Sequence, residues 1–185
     1  KLREALRITA LSLEFIKGFI KPGIKELEIA AELERFIRYN GAIGAAFDII
    51  VAAGSNSAFP HHKPTQRRLQ ANEPLLIDIG VDYCGYKSDL TRVFFLDKIK
   101  GLIRRIYDIV LKAQGIAIKR IKPGEEIADI DALSRNYIAG KGYAKYFNHS
   151  LGHGIGLQTH EAPSISAKNE GIFLPGMVFT VEPAI

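Results

Sequence analysis

The chain has 185 residues, of which 47% are hydrophobic and 24% are charged, and its formal net charge is +5. This composition fits one globular domain and excludes a disordered or fibrous chain. The chain has a single cysteine, Cys84, which excludes an intrachain disulfide and favours a reducing cytoplasm. The sequence has no run of roughly 18 apolar residues, the length needed to cross a membrane.

Hydrophobic periodicity predicts two helices and three strands in the first half of the chain. Pro22 and Gly23 are expected to follow the first helix, and Gly41 the second, because these residues are typical of helix ends. The last two strands are close enough in sequence to form an antiparallel hairpin. The predicted elements are helices over 1–20 and 25–39 and strands over 46–52, 75–81 and 86–95. The core-facing residues expected in the second helix are Leu27, Ala30, Ala31, Leu33 and Ile37.

The second half of the chain repeats this order of elements. Ile20-Lys21-Pro22-Gly23 recurs as Ile121-Lys122-Pro123-Gly124, each time after a long helix and before a shorter one that ends at glycine. Such a repeat predicts an α+β fold of two related ααββ halves, with helices packed on a mostly antiparallel sheet and a shared site. The elements predicted here are helices over 98–120 and 126–139 and a strand over 177–182.

The basic residues of 98–122 could form a nucleic-acid-binding face. They have few aromatic residues between them, however, so a solvated helix surface is the better explanation. We therefore expect no nucleic-acid partner.

Three of the five histidines fall within the segment 148–161, at His149, His153 and His160. Histidine is the commonest metal ligand in proteins and the usual acid–base group near neutral pH. The small residues that separate these histidines would let the backbone approach a metal or a substrate. The segment is therefore predicted to belong to a functional site.

Three acidic residues lie on predicted strands, and a carboxylate with apolar neighbours, as at Asp78, would be costly if it were isolated. The apolar neighbours of Asp78 predict a strand buried on both faces. Asp78 and Asp89 come from the two strands of the predicted hairpin, and residue counts permit them to share a face. Two neighbouring carboxylates ionise cheaply only with cations between them, although a structural pairing of Asp78 with backbone amides or Arg92 stays open. Glu182 ends the apolar run of the last strand.

Two Asp, one Glu and one His form an oxygen-rich donor set. Such a set suits Mn²⁺, Fe²⁺ or Co²⁺ better than a closed structural Zn²⁺ site, which prefers Cys and His. The number of carboxylates indicates two metal ions rather than one, and two-metal sites activate water as a nucleophile at neutral pH.

In this combination and order, the motifs resemble those of the Xaa-Pro peptidases, which are prolidase (Xaa-Pro dipeptidase) and aminopeptidase P. The resemblance covers essentially all 185 residues. It implies the pita-bread fold that these enzymes share with methionine aminopeptidase and creatinase. The matching segments are Phe59-Pro60-His61-His62, Ile77-Asp78-Ile79-Gly80, Ser88-Asp89-Leu90-Thr91-Arg92, His149–Glu161 and Val181-Glu182-Pro183.

The resemblance implies four metal ligands. Asp78 would chelate one metal ion with both oxygens, and Asp89 would bridge two ions. His153 and Glu182 would hold the other ion. The implied cofactors are two divalent ions, Mn, Co or Fe, with Zn also compatible.

The resemblance also implies a substrate side. His61, His149 and His160 would position the scissile carbonyl and the proline, and His149 and His160 would help in catalysis. His62 has no implied ligand role and is expected to belong to the loop or surface. The expected substrates are short peptides with proline at the second position, and a cytoplasmic homodimer with no membrane partner is expected.

Two departures from the family pattern concern the extent of the chain. The family has a fifth ligand, a bridging glutamate on a later strand, and an N-terminal domain, and neither is in this sequence. The chain is therefore expected to be a metallopeptidase catalytic domain over 1–185 that lacks both parts. A smaller departure is Thr159, where an aliphatic β-branched residue is more usual.

Two other functions stay open. Methionine aminopeptidase uses the same ligands, although the segment around Asp89 and the pair His149 and His153 look more like the proline-specific branch. A pita-bread binding module without catalysis is the alternative from another class. Such modules typically lose ligands, whereas this sequence keeps all four that it could contain.

Overall fold

A computed structural model of the protein describes residues 1–99 and 101–185. The chain forms two compact units, one of Lys1–Ile99 with Gly156–Thr159 and the other of Lys100–Ile155 with His160–Ile185. The helices are Leu2–Ile16 (α1), Glu26–Tyr39 (α2), Leu102–Arg120 (α3) and Ile127–Gly140 (α4). The strands are Gly44–Ala45 (β1), Ile50–Ala53 (β2), Pro74–Ile79 (β3), Val81–Tyr83 (β4), Tyr86–Lys87 (β5), Leu90–Phe95 (β6), Gly152–Gly154 (β7) and Glu161–Ile165 (β8). All four predicted helices are therefore present, with ends that differ from the expected ones by at most four residues.

The two helices of the first unit each bury one stripe of side chains in the core of that unit. Ile8 and Ile16 of α1 are fully buried, as are Leu33 and Ile37 of α2. The first helix stops at Ile16 rather than at residue 20, and the chain continues as turns up to Gly23.

The core-facing side of α2 differs in part from the predicted one. Leu27 and Ala31 are exposed, whereas Glu26 and Ile29 are buried. The buried positions follow the helical period from residue 26 through 29 and 33 to 37. Apolar periodicity alone misplaces this face because its first buried residue, Glu26, is charged.

The main ladder of the first unit has β3 at its centre, paired antiparallel with β2 and with β6. The predicted antiparallel hairpin is confirmed, but Gly80 interrupts its first strand, and β4 and β5 continue into a second ladder with β1. The strand predicted over 46–52 was placed too early. The backbone of residues 44–46 instead bonds to the chain at 80–82, so that β2 starts only at Ile50.

Burial alternates along β3. Leu75, Ile77 and Ile79 are fully buried, whereas Leu76 and Asp78 on the other face are partly exposed. The expectation that this strand is buried on both faces was therefore wrong. Asp78 is on the face that keeps some access to solvent, where a carboxylate is less costly.

The second unit has its own core between α3, α4 and the chain that follows them. Ile109 and Ala113 of α3 and Ile130 and Ile138 of α4 are buried in it. β7 and β8 pair antiparallel. No helix within residues 1–99 or 101–185 is both long and apolar enough to span a bilayer.

The strand predicted over 177–182 is not a regular strand in the described chain. Phe179 makes an isolated bridge with Gly154. Backbone bonds continue the same register on both sides of the bridge. Ile155 N donates to the Val178 oxygen at 3.2 Å on one side, and on the other Thr180 N donates to the His153 oxygen and Glu182 N to the Leu151 oxygen, each at 2.8 Å. The segment therefore runs beside β7, but the pairing does not develop into a regular strand.

The predicted internal repeat is confirmed in the backbone hydrogen bonds. Gly23 N donates to the Leu69 oxygen at 2.8 Å, and Gly124 N donates to the Phe173 oxygen at 2.9 Å. The bridge between residues 25 and 68 recurs as one between residues 126 and 172. The first half thus maps on the second with an offset of 101 residues in the helices and 104 residues in the segment that pairs with them.

The same offsets relate the two segments that carry Asp78 and Glu182. Asp78 lies opposite Ile50 in the first unit. In the second unit Glu182 N bonds to Leu151 O, so Glu182 takes the position that corresponds to Asp78. The repeat therefore places one carboxylate at the same point of the pairing in each half.

Replacing Gly80 should destabilise the first unit. A Cβ there would overlap the Ser88 carbonyl oxygen and would lie 2.6 Å from Phe47 Cε1. Because backbone cannot move as a side chain can, Gly80→Ala should lower the free energy of unfolding by about 1–3 kcal/mol. Urea unfolding of the full-length protein measures this change.

Gly115→Ala is the matched control for this substitution. Gly115 lies inside α3, and nothing is within 4 Å of the position of its Cβ. Alanine there should stabilise the helix by about 0.5–1 kcal/mol. Equal stability of the Gly80→Ala variant and the wild type would contradict the close approach of Gly80 to Ser88.

Candidate metal centre

Asp78 stands near the end of β3, opposite Thr91 of β6. The Thr91 hydroxyl donates to Asp78 Oδ1 at 2.8 Å, which fixes the orientation of the carboxylate. Arg92 lies opposite Ile77 in the register and therefore on the other face of the sheet, and its Nη1 donates to the Thr91 oxygen. The structure thus gives Asp78 a hydroxyl neighbour rather than the arginine considered as its structural partner.

Asp89 lies just before β6, two residues ahead of the partner of Asp78. In extended chain this spacing puts both side chains on one face, as diagonal neighbours about 7–8 Å apart, within reach of cations between them. The preceding residue, Ser88, is buried, and its Oγ accepts a bond from Val81 N at 2.9 Å. Asp89 is therefore held between an anchored serine and a paired strand.

His153 and Glu182 form an ion pair in the second unit. His153 Nε2 lies 3.0 Å from Glu182 Oε1. The Thr180 hydroxyl donates to Glu182 Oε1 at 2.8 Å and accepts a bond from His153 N at 3.0 Å. Both predicted ligands of this unit thus meet at one point, and Thr180 fixes their relative position.

The tautomer of His153 follows from its second contact. Nδ1 lies 3.0 Å from the Gly154 carbonyl oxygen, which can only accept, so Nδ1 carries a proton. Nε2 is then the atom that faces the carboxylate. This contact needs a proton on Nε2 or a metal ion between the two groups, and metal-binding histidines commonly hold their other nitrogen in this way.

The side chain of Glu182 favours its ionised form. Burial would raise its pKa, but the hydrogen bonds from His153 and Thr180 outweigh burial, so the pKa of Glu182 lies below its usual value. The donor chemistry of His153 and Glu182 therefore fits a divalent metal. No group of three or more His, Cys, Asp and Glu side chains with metal-holding geometry occurs within 1–99 and 101–185. The four-ligand set therefore stays a prediction.

The glycines beside His153 make room for backbone. A Cβ on Gly152 would lie 2.7 Å from the Thr180 carbonyl carbon, and one on Gly154 would lie 2.5 Å from the Ala162 carbonyl carbon. These two glycines were expected to admit a metal or a substrate. In the structure their small size instead lets the backbone at Thr180 and at Ala162 pack closely on either side of His153.

The other histidines of the segment lie near this pair or beside an aromatic ring. The rings of His153 and His160 are 4.2 Å apart between centroids. His149 packs its ring edgewise on Phe147 at 5.0 Å, and its Nδ1 donates to the Ser150 oxygen at 2.7 Å. Nε2 is therefore the atom of His149 that a substrate could meet.

The loop that carries His61 belongs to the first unit. His61 is exposed there, whereas the side chain of His62 is only 12% exposed and bonds to Glu26. His62 is thus a loop residue with a structural contact, as expected, but it is not on the surface. The Thr159 hydroxyl donates to the Ala46 oxygen at 3.1 Å, a bond that an aliphatic residue could not make.

Two residues that sequence reasoning missed hold the chain at His149. Asp131 is fully buried, and both of its oxygens accept bonds from Arg135, at 2.8 and 2.9 Å. Arg135 also donates to the carbonyl oxygens of Phe147 and His149, at 2.8 and 2.9 Å. The hydrogen bond with Asp131 raises the pKa of Arg135 above its usual value. The only signal in the sequence is the spacing of four residues, which suits a helical ion pair.

The fold and these contacts define a protein of the metallopeptidase class. The chain belongs to metallopeptidase family M24, whose model matches residues 1–185. The resemblance to the Xaa-Pro peptidases and the pita-bread fold are thereby confirmed. Members of this family use divalent metals.

Three similar proteins place the chain within this family. The uncharacterized peptidase YqhT of Bacillus subtilis is 41% identical over 184 residues, which are 100% of this chain and 52% of that protein. The Xaa-Pro dipeptidase from Bacillus anthracis is 43% identical with a TM-score of 0.96, over 100% of this chain and 52% of its own. The X-Pro aminopeptidase from Thermotoga maritima is 40% identical with a TM-score of 0.95, over 99% and 52%. The chain thus spans about half the length of the proteins it matches.

Arg135→Leu should destabilise the second unit and loosen the chain at His149. The substitution leaves the buried carboxylate of Asp131 without its cation and two carbonyl oxygens without their donor. Breaking a buried ion pair in this way costs about 3 kcal/mol of the free energy of unfolding. Urea unfolding of the full-length protein measures the loss.

Arg104→Leu is the control for this variant, because its ion pair with Asp108 has the same spacing on α3 but is half exposed. That variant should unfold near the wild-type midpoint. Equal losses of unfolding free energy in the two variants would show that the ion pair of Arg135 stabilises the protein no more than an exposed one does.

Proposed function

We propose that this protein is a metal-dependent peptidase that hydrolyses the peptide bond before proline, with Xaa-Pro dipeptides as its main substrates. The observation that carries the proposal is the contact of His153 Nε2 with Glu182 Oε1, which presents a nitrogen and an ionised carboxylate at one point. Membership of the M24 family and the likeness to an Xaa-Pro dipeptidase support it.

The proposed metal ligands are Asp78, Asp89, His153 and Glu182, which would hold two divalent ions. The oxygen-rich set favours Mn²⁺, Co²⁺ or Fe²⁺. When bound, such ions lower the pKa of water and polarise the scissile carbonyl. The contact of Thr91 with Asp78 and the contact of Thr180 with Glu182 would keep two of the ligands in fixed orientations.

The proposed substrate-side residues are His61, His149 and His160. The Nδ1 proton of His149 is bound to the Ser150 carbonyl, which leaves Nε2 to face the substrate. With a proton on both nitrogens, His149 would donate from Nε2 to the oxygen that becomes negative during attack. Either His149 or His160 would assist proton transfer to the proline nitrogen, which must be protonated to leave. Cleavage of dipeptides rather than longer peptides and assembly as a cytoplasmic homodimer stay predictions.

Asp89→Ala should abolish hydrolysis of Xaa-Pro dipeptides by the metal-loaded full-length protein. Asp89 would itself be a metal ligand, so its loss should cost more than the roughly 10–100-fold that follows the loss of a residue hydrogen-bonded to a ligand. Asp82→Ala is the matched control, because Asp82 lies in the same unit and pairs with Lys87. The control should keep most of the activity, and steady-state kinetics measures both.

The substrate panel separates the proposal from its alternatives. Xaa-Pro dipeptides test the proposed activity, Xaa-Pro tripeptides test aminopeptidase P activity, and Met-Gly-Gly tests methionine aminopeptidase activity. Full activity of the Asp89→Ala variant would overturn the ligand assignment. Absence of hydrolysis of all three peptides by the metal-loaded wild type would favour the binding module.

A further inference from the structure

Glu26 is a fully buried carboxylate that none of the motifs contains. Its relative exposure is 0%, and it is the first residue of α2. A buried carboxylate without partners would cost several kcal/mol or would become neutral. The hydrogen bonds that Glu26 accepts therefore indicate its structural role.

The two oxygens of Glu26 accept five hydrogen bonds. Oε1 accepts from Ala53 N at 2.8 Å and from Asn56 Nδ2 at 2.9 Å. Oε2 accepts from Thr65 N at 3.0 Å, from Thr65 Oγ1 at 2.7 Å and from His62 Nε2 at 2.9 Å. Burial would raise the pKa of Glu26, but these bonds outweigh it and keep the pKa below its usual value. The anchored residues lie on both sides of His61.

The internal repeat shows that the helix does not need this carboxylate for packing. The residue of α4 that corresponds to Glu26 is Ile127, which is 1% exposed. Glu26 N donates to the Arg67 oxygen at 3.1 Å, and Ile127 N donates to the Gly171 oxygen at 2.9 Å, so the two backbones are bound alike. An apolar side chain thus fills this position in one half, whereas in the other half a carboxylate holds a loop.

The anchored loop runs from Gly54 to Thr65. A short 3₁₀ helix over Gly54–Ala58 begins it, and two turn bonds follow, from Phe59 N to the Asn56 oxygen and from His62 N to the Phe59 oxygen, each 3.1 Å long. His61 is exposed within this loop. Residues before and after His61 are hydrogen-bonded to the same buried carboxylate. His61 therefore has few ways to move without breaking a bond to Glu26.

We propose that Glu26 is a positioning residue, which sets the place of His61 for substrate binding by anchoring the loop 54–65. The assignment rests on the proposed function, in which His61 meets the peptide. Glu26 itself touches no substrate. It acts through Asn56, His62 and Thr65.

A double-mutant cycle in the metal-loaded full-length protein tests this assignment. Glu26→Gln should raise KM for an Xaa-Pro dipeptide roughly tenfold, the effect of about 1.4 kcal/mol, with little change in kcat. His61→Ala should raise KM as well. The combined variant should be no worse than His61→Ala alone, because Glu26 acts through His61.

Two further variants separate positioning from general damage. Glu28→Gln changes a carboxylate two residues away that accepts a bond from the Lys25 amide at 2.8 Å, and it should keep the wild-type KM. Thr65→Val keeps Glu26 and removes one hydroxyl donor, so it should raise KM less than Glu26→Gln does. If Glu26→Gln does not fold, the cycle of Thr65→Val with His61→Ala gives the same test.

Hydrogen exchange of residues 54–65 is the second readout, and it should quicken in Glu26→Gln but not in Glu28→Gln. Unchanged KM in Glu26→Gln, or KM effects that add fully in the combined variant, would overturn the assignment. A wild type that hydrolyses no Xaa-Pro peptide would overturn the proposed function and this assignment together. A wild type that hydrolyses them with additive variants overturns only the role of Glu26.

Discussion

Antiparallel register decides where the acidic side chains of this chain stand. Asp78 lies opposite Ile50 in the first unit, and Glu182 bonds to Leu151 at the corresponding point of the second. Alternate residues of a strand point to opposite faces, so a slip of one residue would turn either carboxylate to the wrong side. Glycines where strands approach closely help to fix this register, because a Cβ there would meet the backbone of the neighbouring segment.

Much of the fold could be predicted because its signals are local. Helical periodicity and turn residues gave the four helices, and the repeated Lys-Pro-Gly turn predicted the two halves that the hydrogen bonds confirm. The failures have local causes as well. The segment 177–182 has the apolar character of a strand, but ladder bonds depend on neighbours that composition does not reveal. Leu27 was placed in the core because the true core position beside it is Glu26, a charged residue.

Some residues of the candidate site could also be predicted from local sequence, and others could not. Asp78 and Glu182 could be singled out because a carboxylate in an apolar run is costly without a partner. Asp89 could be singled out because the predicted hairpin brings it beside Asp78. The residues that hold the loops could not, because their partners are far along the chain. Glu26 binds residues 27 to 39 positions away, and Asp131 binds the amide of Leu151. Only a structure brings such pairs together.

Each half thus combines a carboxylate at the register point with a buried acid on its second helix that supports a histidine-bearing loop. In the first half the support is Glu26, and in the second it is Asp131 through Arg135. The two supports differ in chemistry, since one accepts bonds from the loop directly and the other uses a guanidinium. The two halves therefore share their backbone pairing but differ in the side chains that support their loops.

Asp78, Asp89, His153 and Glu182 are the residues proposed to hold divalent metal ions. Native mass spectrometry of the full-length protein after loading with Mn²⁺ tests this proposal most directly, with the Glu182→Gln variant beside the wild type. We expect two ions per wild-type chain and fewer in the variant. A wild type that binds no metal ion, or a variant that binds as many as the wild type, would contradict it.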